Sequence, residues 1–309
     1  MAVSHEEGIL NKVTELISIA APAKINLSLR ILGKRSDGFH ELETLMAPIQ
    51  LADMLEISHG SGKGINLTCN DPELSTGEDN LCVKAARAFL VATGLEHGIA
   101  ITLLKKIPHG AGLGGGSSDA AAVLKGLNEL FDHPLVVEEL EQIAATLGSD
   151  VPFFLGDGPA WCRGRGEILE TLKDATVLPG RRLLLIKPPF PVPTAWAYKR
   201  YAELAGTPSK LIEEPTQFLG SISILNDLER PVFEKYLLLP VMKNWLLQQA
   251  NVESAFMTGS GSTMVAAMNP GTTTEETAIL KQAITAEFGE TMWVCETGWK
   301  SGIGENSQG

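Results

Sequence analysis

An α+β fold is predicted by two features of the sequence. One strand near the start alternates cleanly between apolar and polar residues. The strands and helices after it are mixed, without the regular βαβ alternation of a parallel sheet. A third feature, a glycine-rich stretch between a strand and a helix, carries most of the functional information.

The alternating strand is Ala23 to Leu32, with Ile25, Leu27, Leu29 and Ile31 on one face and Asn26, Ser28 and Arg30 on the other. It reads as half-buried. Gly33 to Gly38 is a charged turn. Glu43 to Ile57 is strand-like, with breaks expected near Pro48 and Ala52-Asp53. Asn80 caps a helix whose apolar face is Cys82, Ala85, Ala86, Phe89 and Leu90. Ile99 to Ile107 is a strand that feeds the glycine stretch. Ser117 and Ser118 are the expected N-caps of the next helix, with Ala120, Ala121, Val123, Leu124, Leu127, Leu130 and Phe131 at helical spacing. Glu138 to Leu147 is a further amphipathic helix, with Gly148 expected at its C′ position.

Leu-Pro-Gly within Val177 to Arg182 marks a boundary. Beyond it come a buried strand (Leu183 to Ile186) and a stiff proline-dense segment (Lys187 to Pro193). Helices follow near 194–205 and 238–250. Strands near Ala255–Met257 and Thr263–Ala267 flank the turn Thr258-Gly-Ser-Gly-Ser262. A helix near Thr274–Phe288 and a strand near Met292–Glu296 close the chain. The expected units are an extension (1–17), two domains (18–178 and 179–300) and a loose tail (301–309).

The chain has 309 residues, enough for two domains, and a net charge of −12. No cluster of Lys and Arg resembles a nucleic-acid footprint, so an extended nucleic-acid partner is not expected. Cys69, Cys82, Cys162 and Cys295 are scattered without a C-x-x-C spacing, which fits a reducing compartment better than a disulfide framework or a metal cluster. No apolar run approaches the about 18 residues of a membrane span. Glu6, Glu7 and Glu15 argue against a secretory signal or transit peptide. A cytoplasmic protein is expected.

The stretch Pro108-His-Gly-Ala-Gly-Leu-Gly-Gly-Gly-Ser-Ser-Asp-Ala-Ala121 holds five glycines within seven positions. Glycine lets bare backbone N–H groups approach a ligand, and a helix start adds free donors and about half a positive charge. Together these make a phosphate site. Gly110, Gly112 and Gly115 satisfy G-x-G-x-x-G literally. The dinucleotide reading also needs an acid about 20 residues on, ending a second strand, and the nearby Glu129 and Asp132 lie on the helix or at its end. A Walker A lysine is missing, as are the H-R-D and D-F-G elements of protein kinases. The plain alternative is a tight turn that binds nothing.

Three further segments belong to one candidate site. Lys24, in Pro22-Ala-Lys-Ile-Asn26, has apolar neighbours and no other charge nearby, so it is a candidate partner for phosphate or carboxylate. Asp150, in Gly148-Ser-Asp-Val-Pro-Phe-Phe154, stands between a helix stop and an apolar run; a helix cap or Asx turn would serve equally well. The Thr258 to Ser262 turn either closes over phosphates or is a simple β-hairpin.

Pro22 to Leu27, the Pro108 to Ser118 loop and Thr258 to Ser262 resemble, in order, the three motifs of the galactokinase–homoserine kinase–mevalonate kinase–phosphomevalonate kinase superfamily. Asp37-Gly-Phe-His40-Glu-Leu, Glu78-Asp-Asn-Leu81, the triple glycine with Ser-Ser-Asp, and Gly148 to Phe153 narrow the resemblance. They point to the branch that phosphorylates 4-diphosphocytidyl-2-C-methyl-D-erythritol in the non-mevalonate isoprenoid route.

That resemblance implies an N-terminal domain like ribosomal protein S5 domain 2 and a ferredoxin-like C-terminal domain. It also implies transfer of the ATP γ-phosphoryl to the substrate's 2-hydroxyl. Asp150 would accept the hydroxyl proton. Lys24 would keep Asp150 ionised and neutralise charge on the nucleophile. ATP would be held by Asn80, Lys105, Pro108, Gly110, Gly112, Leu113, Gly114, Gly115, Gly116, Ser117 and Ser118. Mg²⁺ would arrive with it, with Ser118 as its protein ligand by analogy with the superfamily. Substrate would meet Asn26, Asp150, Thr194, Gly259, Ser260 and Gly261. His40 would bond the cytosine edge, and Phe39 and Tyr198 would stack on its ring. Phe39 replaces the more frequent tyrosine, which keeps stacking but loses a hydroxyl. The implied partner is a small molecule, with no nucleic acid or membrane, and the implied state is a monomer or weak homodimer. The competing readings are a homoserine or mevalonate kinase, a non-catalytic nucleotide binder, and a dinucleotide oxidoreductase.

Overall fold

The computed structural model describes residues 16–172, 178, 180–207 and 216–300. The expected tail, most of the expected extension, and Val177 and Pro179 of the expected boundary lie outside the described residues. Leu16 and Ile17, expected in the extension, already belong to the first strand.

Two long antiparallel strands form the spine: β1 (Leu16–Lys34) and β2 (His40–His59). Asp37 makes the turn between them, its carboxylate accepting the Phe39 N–H at 3.1 Å. β2 is continuous, so the breaks expected near Pro48 and Ala52-Asp53 do not occur. The irregularity appears instead as a bulge. Pro22 pairs with Ala52 but Lys24 pairs with Pro48, so β2 carries extra residues there. Pro48 has no N–H to donate, but it sits at the bulge, and its carbonyl accepts the Lys300 N–H.

The half-buried reading of β1 is corrected as well. Lys24, Asn26 and Ser28 on its polar face are as buried as Ile25 and Leu27, because other parts of the chain cover that face too. Only Arg30 of the expected polar set is exposed.

β3 (Gly64–Cys69) and β4 (Gly98–Leu104) extend the sheet beyond β2. Helices α1 (Leu81–Thr93), α2 (Gly115–Leu130) and α3 (Val137–Leu147) cover one side. Asn80 caps α1 as expected, accepting from the Cys82 N–H at 2.8 Å. The cap of α2 is Gly114, in the left-handed region with φ 72°, and not Ser117 or Ser118. The helix therefore begins at Gly115, three or four residues earlier than a cap at Ser117 or Ser118 implies. Gly148 ends α3 with an extended backbone, φ 173°, so the C′ role expected of a left-handed glycine is not used. The core here joins Leu55, Ile57, Ile101 and Leu103 of the sheet to Phe89, Leu124 and Leu127 of the helices. Each such side chain contributes about 1.5–3 kcal/mol on burial.

A 3₁₀ turn (Pro152–Leu155) leads into β5 (Ala160–Gly164) and β6 (Ile168–Thr171), which sequence periodicity did not reveal. The second half comprises β7 (Leu183–Lys187), α4 (Thr194–Glu203), β8 (Gln217–Leu219), β9 (Ile222–Asn226), α5 (Glu229–Phe233) and α6 (Leu238–Leu247). It ends with β10 (Val252–Met257), β11 (Met264–Met268), α7 (Thr274–Phe288) and β12 (Trp293–Thr297).

β7, β10, β11 and β12 form an antiparallel sheet in the order β10-β11-β7-β12, crossed by helices in the ferredoxin-like manner. β8 and β9 return to the large sheet, where β9 runs parallel to β1. The two layers meet face to face: Ala23, Ile25 and Leu27 pack with Leu183, Leu185, Phe256 and Val265. The architecture is α+β with two sheets.

Candidate active site

β1 presents Lys24 on its buried face at the bulge. The Lys24 backbone N–H donates to Leu113 O at 3.0 Å, which ties the strand to the glycine loop. Its ammonium donates to Asn26 Oδ1 at 2.5 Å and Gly112 O at 3.2 Å, and stands 3.6 Å from Asp150 Oδ2. Asn26 is fixed in turn, donating to Thr44 Oγ1, which donates to Ser28 O. The lysine thus points in one direction before any ligand arrives, while Asp150 keeps about a third of its side chain open to solvent.

The Thr258 to Ser262 turn links β10 and β11 as a hairpin, and it also reaches the glycine loop. Thr258 Oγ1 accepts the Asn26 N–H at 2.9 Å, and the Thr263 N–H donates to Ala111 O. The hairpin reading holds, and the same turn packs on the glycine loop. Asn226 on β9 secures it from behind, donating to Met257 O at 2.7 Å and Gly259 O at 2.8 Å.

Gly112 and Gly114 are required by this closeness. Gly112 has φ +76°, and a Cβ there would lie 2.5 Å from Thr258 O. Gly114 has φ +72°, and its Cβ would lie 2.9 Å from Phe154 Cζ and 3.1 Å from Lys24 Cε. The loop ends at the first turn of α2, where the Ser118 N–H already bonds Gly114 O. The Gly115, Gly116 and Ser117 amides have no partner within the helix and supply anion-binding donors.

These parts line one cleft of about 1300 Å³. Every residue expected at the site lines it, except Ser118 and Gly261. Ser118 is buried directly behind the wall, and its hydroxyl has no hydrogen-bond partner among the described residues. Gly261 is packed against Met257 Sδ. Asn80 serves both as helix cap and as lining. Lys105 also lines the cleft, but it is not a free cation: Asp53 and Asp119 both accept from its ammonium. Burial pushes the Asp119 carboxyl up, to about 7, against the pull of Lys105. Among the described residues, no group of three or more His, Cys, Asp or Glu could hold a metal ion.

At the other end of the cleft the His40 ring stacks on Tyr198, with centroids 5.5 Å apart, and its buried Nε2 has no partner among the described residues. Burial, aided by Lys34, holds the imidazole below its ordinary pKa of 6.5 and so favours the neutral ring. Phe39 is half exposed and carries the Arg165 guanidinium on its ring at 4.8 Å. Thr194 Oγ1 and Ser260 Oγ are 2.9 Å apart, joining the start of α4 to the turn.

Sequence reasoning missed Arg165, Lys34 and Lys199, all of which line the cleft. The Arg-Gly-Arg-Gly run at 163–166 was the one available signal. These cations favour anionic ligands locally despite the net charge of −12. Asp53, Asp119 and Asn226 were also missed, because their partners are distant in sequence.

The model of the GHMP kinases N terminal domain matches residues 80–158. The chain is 50% identical over 251 residues to the 4-diphosphocytidyl-2-C-methyl-D-erythritol kinase of Methylacidiphilum infernorum (isolate V4), covering 81% of this chain and 85% of that protein. It is 34% identical over 301 residues to the enzyme of the same name from Desulfotalea psychrophila (strain LSv54 / DSM 12343), covering 95% and 99%. A crystal structure of 4-(cytidine 5'-diphospho)-2C-methyl-D-erythritol kinase superposes with a TM-score of 0.73 at 33% identity, covering 92% of this chain and all of that one. The Methanococcus jannaschii mevalonate kinase gives a TM-score of 0.66 at 14% identity, a likeness of fold.

Proposed function

The chain belongs to the 4-diphosphocytidyl-2-C-methyl-D-erythritol kinases of the GHMP group, and on that premise we propose how its own residues carry the reaction. The reaction is ATP-dependent phosphorylation of the 2-hydroxyl of 4-diphosphocytidyl-2-C-methyl-D-erythritol, giving the 2-phosphate and ADP in the non-mevalonate route to isoprenoid precursors.

One observation carries the assignment of roles: the Lys24–Asp150 pair stands where the glycine loop meets the Thr258 to Ser262 turn. Phosphoryl transfer needs positioning and charge stabilisation more than covalent chemistry from the protein. The amides of Gly115, Gly116 and Ser117 hold the triphosphate, with Asn80 and Leu113 shaping the nucleotide end. Asp150 accepts the proton of the 2-hydroxyl as the oxygen attacks the γ-phosphorus and the bond to the ADP oxygen breaks. Lys24 stabilises the charge shared between attacking oxygen and phosphoryl group. Asn26, Thr194, Gly259 and Ser260 orient the alcohol. His40, neutral and with an unpartnered Nε2, bonds the cytosine edge, and Phe39 and Tyr198 offer their faces to the ring.

Mg²⁺ would arrive with ATP, and the unpartnered Ser118 hydroxyl, buried behind the cleft wall, would hold it by turning into the cleft. When bound, the ion would neutralise charge on the phosphates. The protein is a cytoplasmic enzyme acting as a monomer or weak homodimer, divided near 178/179 into a nucleotide-binding and catalytic unit and a substrate-binding unit. The first also carries His40 and Phe39; the second supplies Thr194, Tyr198 and the Thr258 to Ser262 turn and lends β8 and β9 to the large sheet.

A panel of phosphate acceptors tests the reading. Turnover of ATP is expected with the cytidylyl substrate and not with mevalonate or homoserine. The reverse pattern would reject the assignment.

A further inference from the structure

We propose that Asp53 is a positioning residue for the nucleotide phosphates, acting through the glycine loop without touching any ligand. Asp53 sits on β2 and is fully buried. One carboxylate oxygen, Oδ1, accepts two consecutive backbone donors, the Lys106 N–H at 2.5 Å and the Ile107 N–H at 2.9 Å. Those two residues lead directly from β4 into the glycine loop. The other oxygen accepts from the Lys105 ammonium.

That ammonium is shared. It also donates to Asp119 on α2 at 2.7 Å, and it lies 3.2 Å from where a Cβ on Gly115 would be. Asp53 therefore grips both sides of the loop: the entering backbone directly, and the start of α2 through Lys105 and Asp119. The partners join a sheet strand, a loop entrance and a helix start. A fully buried carboxylate has no water to fall back on, so each of these bonds is obligatory and the geometry is stiff. The amides of Gly115, Gly116 and Ser117 are aimed by this framework. A misplacement of about 1 Å at such donors weakens phosphate binding steeply.

This role rests on the reading that the glycine loop holds the nucleotide, and the test separates the two. Asp53→Asn keeps an oxygen for the backbone donors but turns an amide toward the Lys105 ammonium. The KM for ATP is expected to rise about tenfold, with the KM for the cytidylyl acceptor within about twofold of wild type. A purely structural role would lower the active fraction and leave both KM values in place. Gly112→Ala is the control for the loop itself. If it raises the KM for ATP while Asp53→Asn does not, the proposal fails and the loop reading stands. If neither changes it, both fail. Should Asp53→Asn not fold, amide hydrogen exchange of the wild-type protein without nucleotide decides. The Lys106 and Ile107 N–H groups are expected to exchange on the order of 100-fold more slowly than open-loop amides, and free exchange would overturn the role.

Discussion

The Lys24 ammonium and the Asp150 carboxylate stand 3.6 Å apart, and Lys24 is held there by Asn26 and Gly112 before any substrate is bound. The pair is preorganised on one side, the buried lysine, and open on the other, the partly exposed aspartate. That suits a base that must meet an incoming alcohol.

Asp150→Asn keeps the shape of the side chain and removes its capacity to take a proton. A fall in kcat of roughly 10²–10⁴ is expected, with the KM for ATP within a few-fold of wild type. Steady-state kinetics with both substrates varied checks this. A kcat within a factor of a few of wild type would take Asp150 out of the role.

Lys24→Met should also lower kcat steeply. Combined with Asp150→Asn, the loss should be well short of the product of the two single losses, because groups that act as a unit are not additive. Full multiplicativity in that double-mutant cycle would show independent action.

Gly112→Ala forces a left-handed backbone onto a residue with a Cβ aimed at Thr258 O. A loss of about 1–3 kcal/mol in stability is expected, with a higher KM for ATP. Denaturant unfolding alongside kinetics measures both. An unaffected protein would mean that the loop and the turn do not need this approach.

Asn226→Ala strands the Met257 and Gly259 carbonyls, which lose a buried donor. About 1–3 kcal/mol of stability should go. In thermal melts the variant should unfold several degrees below wild type, and an unchanged melting point would contradict the latch.

His40 has its imidazole pKa depressed by burial first and Lys34 second. The neutral ring is favoured in the folded state, so its contribution is complete above the ordinary value of 6.5 and is lost as pH falls through the lower folded value. The acceptor KM should therefore be flat above 6.5 and rise on further acidification, while the KM for ATP does not follow it. His40→Gln should abolish the rise. A pH-independent acceptor KM in the wild-type enzyme would end this account.

Local chemistry was readable wherever it was sufficient. α7 occupies Thr274–Phe288 as expected, because Thr273 and Glu276 form a reciprocal cap at its start. Asn80 caps α1 because its side chain reaches a donor two residues away. The start of α2 was misread for the opposite reason. Serine is the better cap by local preference, but Gly114 takes a left-handed backbone between Phe154 and Lys24, which the sequence around it does not encode. The Pro48 carbonyl of β2 likewise finds its partner in the Lys300 N–H, far along the chain.

From residue types and spacing came the α+β class, a candidate phosphate loop, and Lys24 and Asp150 as candidate site residues; only the resemblance of the motifs to a kinase family joined those two as a couple. Tertiary structure alone decided that the polar face of β1 is buried, that Lys105 is held by Asp53 and Asp119, and that Asn226 anchors the turn. The difference is physical. Capping and alternation act over a few residues, whereas a buried charge or amide is satisfied by whatever partner the fold brings within about 3 Å, at any distance along the chain.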